Sequence, residues 1–312
     1  MIKRTVEIST PGCYVHTKHE QLVIEKDGFK VGSVPIEDLG VLIFDNPQIL
    51  ITSALMGFLA EQNVSVIFTD AKHLPSSVTI PYSANTIQTK VLNTQIDISL
   101  PTKKRLWSAV VSGKILNQSK ALELCGGDGT ALREISKNVA SGDPKNLEAY
   151  AARIYWRRLF GEEFRRDREA ADENALLNYG YAVVRAATAR AIVGTGLHPG
   201  LGINHKNQYN PLPLADDLVE PLRPMVDLRV HSIIREMIPD ADGSEKEIIL
   251  DRDTKRGILG VLADECIYDG RKMPMMVALG NYTATIKQVM MGEADKPVIP
   301  TFAEGARTLL SA

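Results

Sequence analysis

The sequence predicts an α+β protein: a small β-rich N-terminal domain, residues 1–84, followed by a larger all-helical domain, residues 85–312. Three observations lead there. The 312 residues exceed what one compact core usually organises, which argues for two domains. Up to about residue 48 the chain alternates apolar and polar positions with many β-branched residues, the period of half-buried strands. Beyond Leu74-Pro75-Ser76-Ser77 the period changes, and from about Thr89 apolar residues recur at helical spacing.

Thr5-Val6-Glu7-Ile8 and Val41-Leu42-Ile43-Phe44, punctuated by Pro11-Gly12, Asp27-Gly28 and Asn46-Pro47, read as short antiparallel strands. Thr52 or Ser53 caps a helix reaching about Gln62, with Leu55, Met56 and Leu59 on one face, and residues 64–68 form a further strand. Asp143 as N-cap, Pro144 at the first helical position and Gly161 as a stop frame a helix carrying Glu148. A second helix is expected over residues 172–193, ending at Gly194 and Gly196. Residues 196–213 hold three glycines and three prolines, so they form a loop fixed by its turn residues, and it carries His205. A helix follows from near Pro213 with Asp216, Asp217 and Glu220, and Pro221 weakens its hydrogen bonding.

Hydrophobic residues make up 44% and charged residues 24%, an ordinary globular composition. With 36 basic against 38 acidic residues and a formal charge of -2, any nucleic-acid site must be a local patch. Cys13, Cys125 and Cys266 are odd in number, far apart and without a CxxC, which excludes a simple disulfide framework or thiolate zinc site and suits a reducing cytoplasm. The polar start, with Thr5 and Glu7 after Lys3-Arg4, is no secretory signal, and the apolar run at 49–60 is too short to span a bilayer. A cytoplasmic protein that avoids membranes is expected.

Asp217 and Glu220, three apart, share one helix face, and such a pair can bind one hard cation. His205 precedes Glu220 by fifteen residues, close enough for the connection to bring its imidazole to the same face. Carboxylates suit Mg²⁺ or Mn²⁺, and an added imidazole favours Mn²⁺. On spacing alone, a solvated helix face is the commoner reading of such a pair. Glu148 alone reads as a surface glutamate paired with a nearby arginine.

Four blocks change that reading. They are Leu147-Glu148-Ala149-Tyr150-Ala151-Ala152-Arg153-Ile154-Tyr155-Trp156, Leu177-Asn178-Tyr179-Gly180-Tyr181, Gly196-Leu197-His198-Pro199-Gly200-Leu201-Gly202-Ile203-Asn204-His205, and Leu214-Ala215-Asp216-Asp217-Leu218-Val219-Glu220-Pro221-Leu222-Arg223-Pro224. In order and spacing they resemble the CRISPR-associated adaptation endonuclease and integrase family, most closely its type II version. The stretch from Ile51-Thr52-Ser53-Ala54-Leu55 to Val66-Ile67-Phe68 is similar to that family too. The resemblance implies Glu148, His205 and Glu220 as metal ligands, with Asp217 beside the metal as a catalytic neighbour or occasional ligand. It also implies an antiviral-defence enzyme: a homodimer joined through its β-rich domains and held by a small partner protein. That enzyme inserts short double-stranded DNA into a repeat array through attack of a 3′-hydroxyl on a phosphodiester. A non-catalytic DNA-binding scaffold in the same assembly is the alternative. Over residues 92–140 and 240–312 the resemblance weakens, and no site residue is assigned there.

Gly194, Gly196 and Gly200 follow a helix and lack GxGxxG spacing, so they read as a cap and turn rather than a phosphate loop. His16 and His19 fall in a strand region, where their spacing sends them to opposite faces and gives a structural role. Arg153, Arg157, Arg158, Arg165, Arg166 and Arg168, together with Lys103, Lys104 and Arg105, either neutralise DNA phosphates or cover solvated helix faces. Arg223 is the best single candidate for holding a phosphate near the metal.

Overall fold

The computed structural model describes residues 3–71, 73–82, 84–167, 170, 172–237 and 248–303. Strands β1 (Arg4–Ile8), β2 (Tyr14–Lys18), β3 (Gln21–Lys26), β4 (Phe29–Pro35), β5 (Leu39–Phe44) and β6 (Leu50–Ile51) precede helix α1 (Ser53–Glu61), and β7 (Ser65–Thr69) and β8 (Pro75–Thr79) follow it. Two four-stranded sheets result, ordered β1-β5-β7-β8 and β4-β3-β2-β6. Thr52 makes the α1 cap, its hydroxyl accepting from Leu55 N at 3.3 Å.

The expectation of antiparallel strands holds only in part. β2 with β3 and β3 with β4 are antiparallel, but β1 with β5, β5 with β7 and β2 with β6 are parallel. Alternation reports which face a residue takes and carries no information on strand direction. The parallel pairs need crossovers, and the β2–β4 hairpins and α1 supply them. β5 is buried on both faces, as a parallel central strand should be. Leu42, Phe44 and Val66 face one core with Leu55 and Leu59 of α1, while Val41, Ile43 and Ile67 face a second core made by the helices. His16 lies in β2 and pairs with Glu25 at 3.2 Å, whereas His19 sits in the following turn at φ 52°, so only the first is a strand residue.

The helical part contains α2 (Gln88–Ile96), α3 (Leu100–Leu124), α4 (Thr130–Lys137), α5 (Leu147–Phe160), α6 (Glu173–Gly194) and α7 (Pro213–Val219). A 3₁₀ turn, Glu220–Leu222, leads into α8 (Arg223–Met237), then α9 (Arg252–Leu259). The described part of residues 85–312 is not all-helical. β9 (Glu265–Tyr268), β10 (Arg271–Pro274) and, after α10 (Met275–Met290), β11 (Thr301–Phe302) form a sheet ordered β10-β9-β11. Asp269-Gly270 turns the β9–β10 hairpin with φ 49° and 73°, the backbone an Asp-Gly turn favours. That dipeptide was the available signal, outweighed by the helical period around it.

Helix α6 is buried on almost every side and forms the centre of the second core. Gly180 lets α8 approach, since a Cβ there would lie 2.4 Å from Val226 Cγ1. The three cysteines are free thiols, and no described helix is long and apolar enough to cross a membrane.

A buried ion pair ties sheet to helices. Lys255 of α9 donates to Asp45, just beyond β5, at 2.6 Å, with both side chains at most 5% exposed. Asp45 also accepts from Thr69 at 2.7 Å and from His73 at 3.0 Å. Burial alone would push the Asp45 carboxyl up, but Lys255, Thr69 and His73 together hold it below its usual value. Lys255→Ala leaves a buried carboxylate without its counter-ion and is expected to cost about 3–5 kcal/mol, with Lys255→Met/Asp45→Leu recovering most of it. Urea unfolding of the two variants measures both effects; a loss below about 1 kcal/mol, the scale of an exposed pair, would reject the role of the pair.

Candidate functional site

The site is assembled from three segments around one lysine. Ser99 caps α3 by accepting from Thr102 N at 3.3 Å, with Pro101 in the first turn. Leu106, Trp107, Val110, Val111 and Ile115 then form its buried face. Lys114 lies on that face, its side chain only 12% exposed. Its ammonium donates to Glu148 Oε1 and to Glu220 Oε2, each at 2.6 Å.

Glu148 stands in the first turn of α5, where its carboxylate is favoured by the helix dipole. The helix begins at Leu147, later than expected, because Asn146 is the N-cap and takes a left-handed φ of 50°. Asp143 still caps from a distance: its two oxygens accept from Leu147 N at 2.9 Å and Glu148 N at 3.0 Å. Glu220 opens the 3₁₀ turn after α7 and is 6% exposed. Pro221 has no N–H to continue the α-helical ladder, hence the tightened turn. Asn117, one turn after Lys114, donates to the Pro221 carbonyl at 2.7 Å and pins that turn to α3.

Burial would push the Glu220 carboxyl up, but Arg223 and Lys114 outweigh it and hold it at about 2. Burial likewise works against the Lys114 charge, and Glu220 and then Glu148 overcome it, raising the ammonium above its ordinary value. The Arg223 Nε donates to Glu220 Oε1 at 2.8 Å, and its guanidinium lies 4.4 Å from the centre of the Tyr181 ring. Its Nε is thus committed to the acid.

Asp217 is fully buried and holds the His205 loop. Its oxygens accept from Ile203 N at 2.6 Å, Asn204 N at 3.0 Å, His205 N at 3.1 Å and the His205 ring Nδ1 at 2.7 Å. Gly202 makes room for this wrap, because a Cβ there would meet His205 O at 2.6 Å and Asp217 Oδ2 at 3.1 Å. The Asp217 bond raises the His205 pKa against the opposing effect of burial. An Nδ1–H donated to Asp217 leaves Nε2 as the free lone pair of the neutral ring. Trp107 packs edge-on against this imidazole, ring centres 6.0 Å apart. His205 also borders a cleft of about 390 Å³ with Lys103 and Lys206.

The fold therefore brings Glu148 and Glu220 together across one nitrogen, while His205 is turned to Asp217. Among the described residues no three His, Cys, Asp or Glu side chains are gathered closely enough to hold a metal ion. Sequence reasoning missed Lys114, the group on which both acids converge; its one signal is a lone cation within Val110-Val111-Ser112-Gly113-Lys114-Ile115-Leu116.

It also missed Asp227, buried behind the site. This carboxyl accepts from the Tyr155 hydroxyl at 2.9 Å and from the Tyr181 hydroxyl. Burial pushes it up to about 7 although both hydroxyls and Arg223 favour its charge. A folded pKa above the unfolded value of about 3.9 gives stability that is complete below that value and is lost as pH rises through about 7. Wild type is expected to lose stability between pH 5 and 8 relative to Asp227→Asn, whose curve is flatter. Denaturant midpoints across that range measure the difference, and parallel curves would reject it.

Of the basic residues, Arg166 is bonded to Asn174 and Asn178, and Arg158 to the Asp128 carbonyl. Arg153 is exposed beside the Tyr150 ring. Arg168 lies outside the described residues.

Two β-sheets leading into a helical body form a fold shared with solved structures. A casposase bound to integration product matches with a TM-score of 0.77 at 18% identity, over 94% of this chain and 92% of that one. A Cas6-RT-Cas1–Cas2 complex matches with a TM-score of 0.71 at 17% identity, over 93% of this chain and 35% of that one. Sequence defines the family: the model described as CRISPR associated protein Cas1 matches residues 6–263, and this chain belongs to that family. The CRISPR-associated endonuclease Cas1 of Neisseria meningitidis serogroup C (strain 8013) is 44% identical over 215 residues, 68% of this chain and 70% of the relative.

Proposed function

We propose that this protein is a divalent-metal-dependent DNA endonuclease and integrase that joins short double-stranded DNA to a CRISPR repeat array. The observation that carries the reading is the convergence of Glu148 and Glu220 on a single cation, Lys114 Nζ. Two hard oxygen donors facing one positive charge are the right chemistry for Mg²⁺ or Mn²⁺. Glu148 and Glu220 would hold the ion, and the resemblance of the sequence adds His205, through the Nε2 that Asp217 leaves free, as the third ligand. Such an ion supplies Lewis acidity at phosphorus and a lowered pKa for a bound hydroxyl or water.

The chain's own residues do the rest. Arg223 and Lys114 keep Glu220 ionised inside a nearly closed site. Asp217 orients His205 and fixes which ring nitrogen faces away from it. Lys103 and Lys206, beside His205, supply positive charge where a DNA phosphate would lie. Joining is a transesterification in which a 3′-hydroxyl of the incoming DNA attacks a repeat phosphodiester and the displaced 3′-oxygen leaves. Positioning and charge stabilisation provide most of its acceleration. A homodimer formed through the β-rich residues 1–84, held by a small partner protein, would place two such sites for the two ends of the incoming fragment. The resemblance of the sequence supports that assembly, and the complex named for Cas1 and Cas2 supports the partner protein.

The test is strand transfer by the purified protein on branched DNA with Mn²⁺, with Mg²⁺ and with EDTA. Metal-dependent joining or its reversal is expected. DNA binding that persists in Glu148→Ala and His205→Ala, with no strand transfer by wild type, would favour a scaffold instead.

A further inference from the structure

We propose that the Lys114 ammonium is a built-in occupant of the cation seat between Glu148 and Glu220, and that a divalent ion binds there only by displacing it. The proposal rests on the metal reading above and adds a coupled movement to it. Nζ lies 2.6 Å from one oxygen of each acid, so it fills the position that a shared cation would take. Lys114 and Arg223 together balance the two carboxylates, and Glu220 is 6% exposed. A divalent ion added to that set would place three cationic groups around two acids where water screens poorly, a strongly repulsive arrangement. Arg223 is held on its far side by the Tyr181 ring, which leaves lysine as the group able to move. Its four-carbon stem is flexible, and its ammonium regains hydration when it swings out.

The arrangement explains how the buried Glu220 and the half-buried Glu148 sit side by side with their charges balanced by side chains. It also implies that metal affinity is set by competition as much as by the donors. Removing the competitor should therefore tighten binding, the reverse of what loss of a supporting residue would do.

Mn²⁺ titrations followed by calorimetry and electron paramagnetic resonance on wild type, Lys114→Met and Glu148→Gln test this. Lys114→Met is expected to bind Mn²⁺ about 10-fold or more tightly than wild type, and Glu148→Gln to bind it far more weakly. Wild type provides a second arm that needs no variant. Acylation by an N-hydroxysuccinimide ester, read by mass spectrometry, should label Lys114 slowly in protein stripped of metal and several-fold faster with Mn²⁺, while Lys103 and Lys104 stay constant. If Lys114→Met does not fold, this labelling decides. Mn²⁺ binding that Glu148→Gln abolishes, with Lys114 labelling and Lys114→Met affinity unchanged, overturns the displacement and leaves the metal reading standing. Mn²⁺ binding that is absent or insensitive to Glu148→Gln overturns both.

Discussion

Glu220→Gln is expected to reduce metal-dependent DNA joining by a factor of about 100 or more while leaving the fold intact. The amide keeps the shape of the side chain and one acceptor oxygen, so the bond from Lys114 or Arg223 survives in weakened form. What disappears is the charge that two cations hold ionised at about 2. Loss of a single preorganised group at a developing charge typically costs 10²–10³ in rate, and a carboxylate in the proposed role of metal ligand belongs at the upper end of that range. Single-turnover strand transfer at saturating Mn²⁺ measures it, with circular dichroism as the control on folding. Activity within about threefold of wild type would remove Glu220 from the mechanism.

Asp217→Ala should act through a different route, collapsing the loop rather than the charge. Three backbone N–H groups and the His205 ring all donate to this one fully buried carboxylate. Each buried donor left without a partner costs about 1–3 kcal/mol, so a loss of roughly 3 kcal/mol or more is expected. For a chain of this size that corresponds to a fall in Tm of roughly 5 °C or more. Asp217→Asn, which retains one acceptor, should fall between the two. Activity should drop with stability, because the freed imidazole loses its orientation and its preferred tautomer. Calorimetric scans beside the strand-transfer assay separate the two effects. An Asp217→Ala protein as stable as wild type would show that the wrap of residues 203–205 does not depend on this acid.

Asp217 illustrates how far spacing alone can carry. Its separation of three from Glu220 predicts both carboxylates on one helix face, but Asp217 lies in α7 and Glu220 in the 3₁₀ turn after it, and the two face different partners. Asp217 turns inward to the loop, and Glu220, the first residue of that turn, turns to α3. Asp217 accepts from the His205 ring and three backbone N–H groups of its loop. Lys114 shows the opposite case: nothing in the local sequence marks a lysine on a buried helix face as one member of a cluster drawn from residues 34 and 106 positions away.

Taken by itself, the sequence determined the order of β-rich and helical parts, a cap at Thr52 or Ser53, a helix starting at Asp172, the loop of residues 196–213 and the weakening at Pro221. These are local matters of period, turn chemistry and backbone donors. The four blocks of residues 147–224 also marked the family. Tertiary structure alone decided that the N-terminal sheets are partly parallel, that Asp269-Gly270 turns a hairpin within the helical part, and that Lys114 stands between Glu148 and Glu220. Strand direction and the meeting of distant side chains depend on the path of the whole chain through space, and local propensity carries no record of that path.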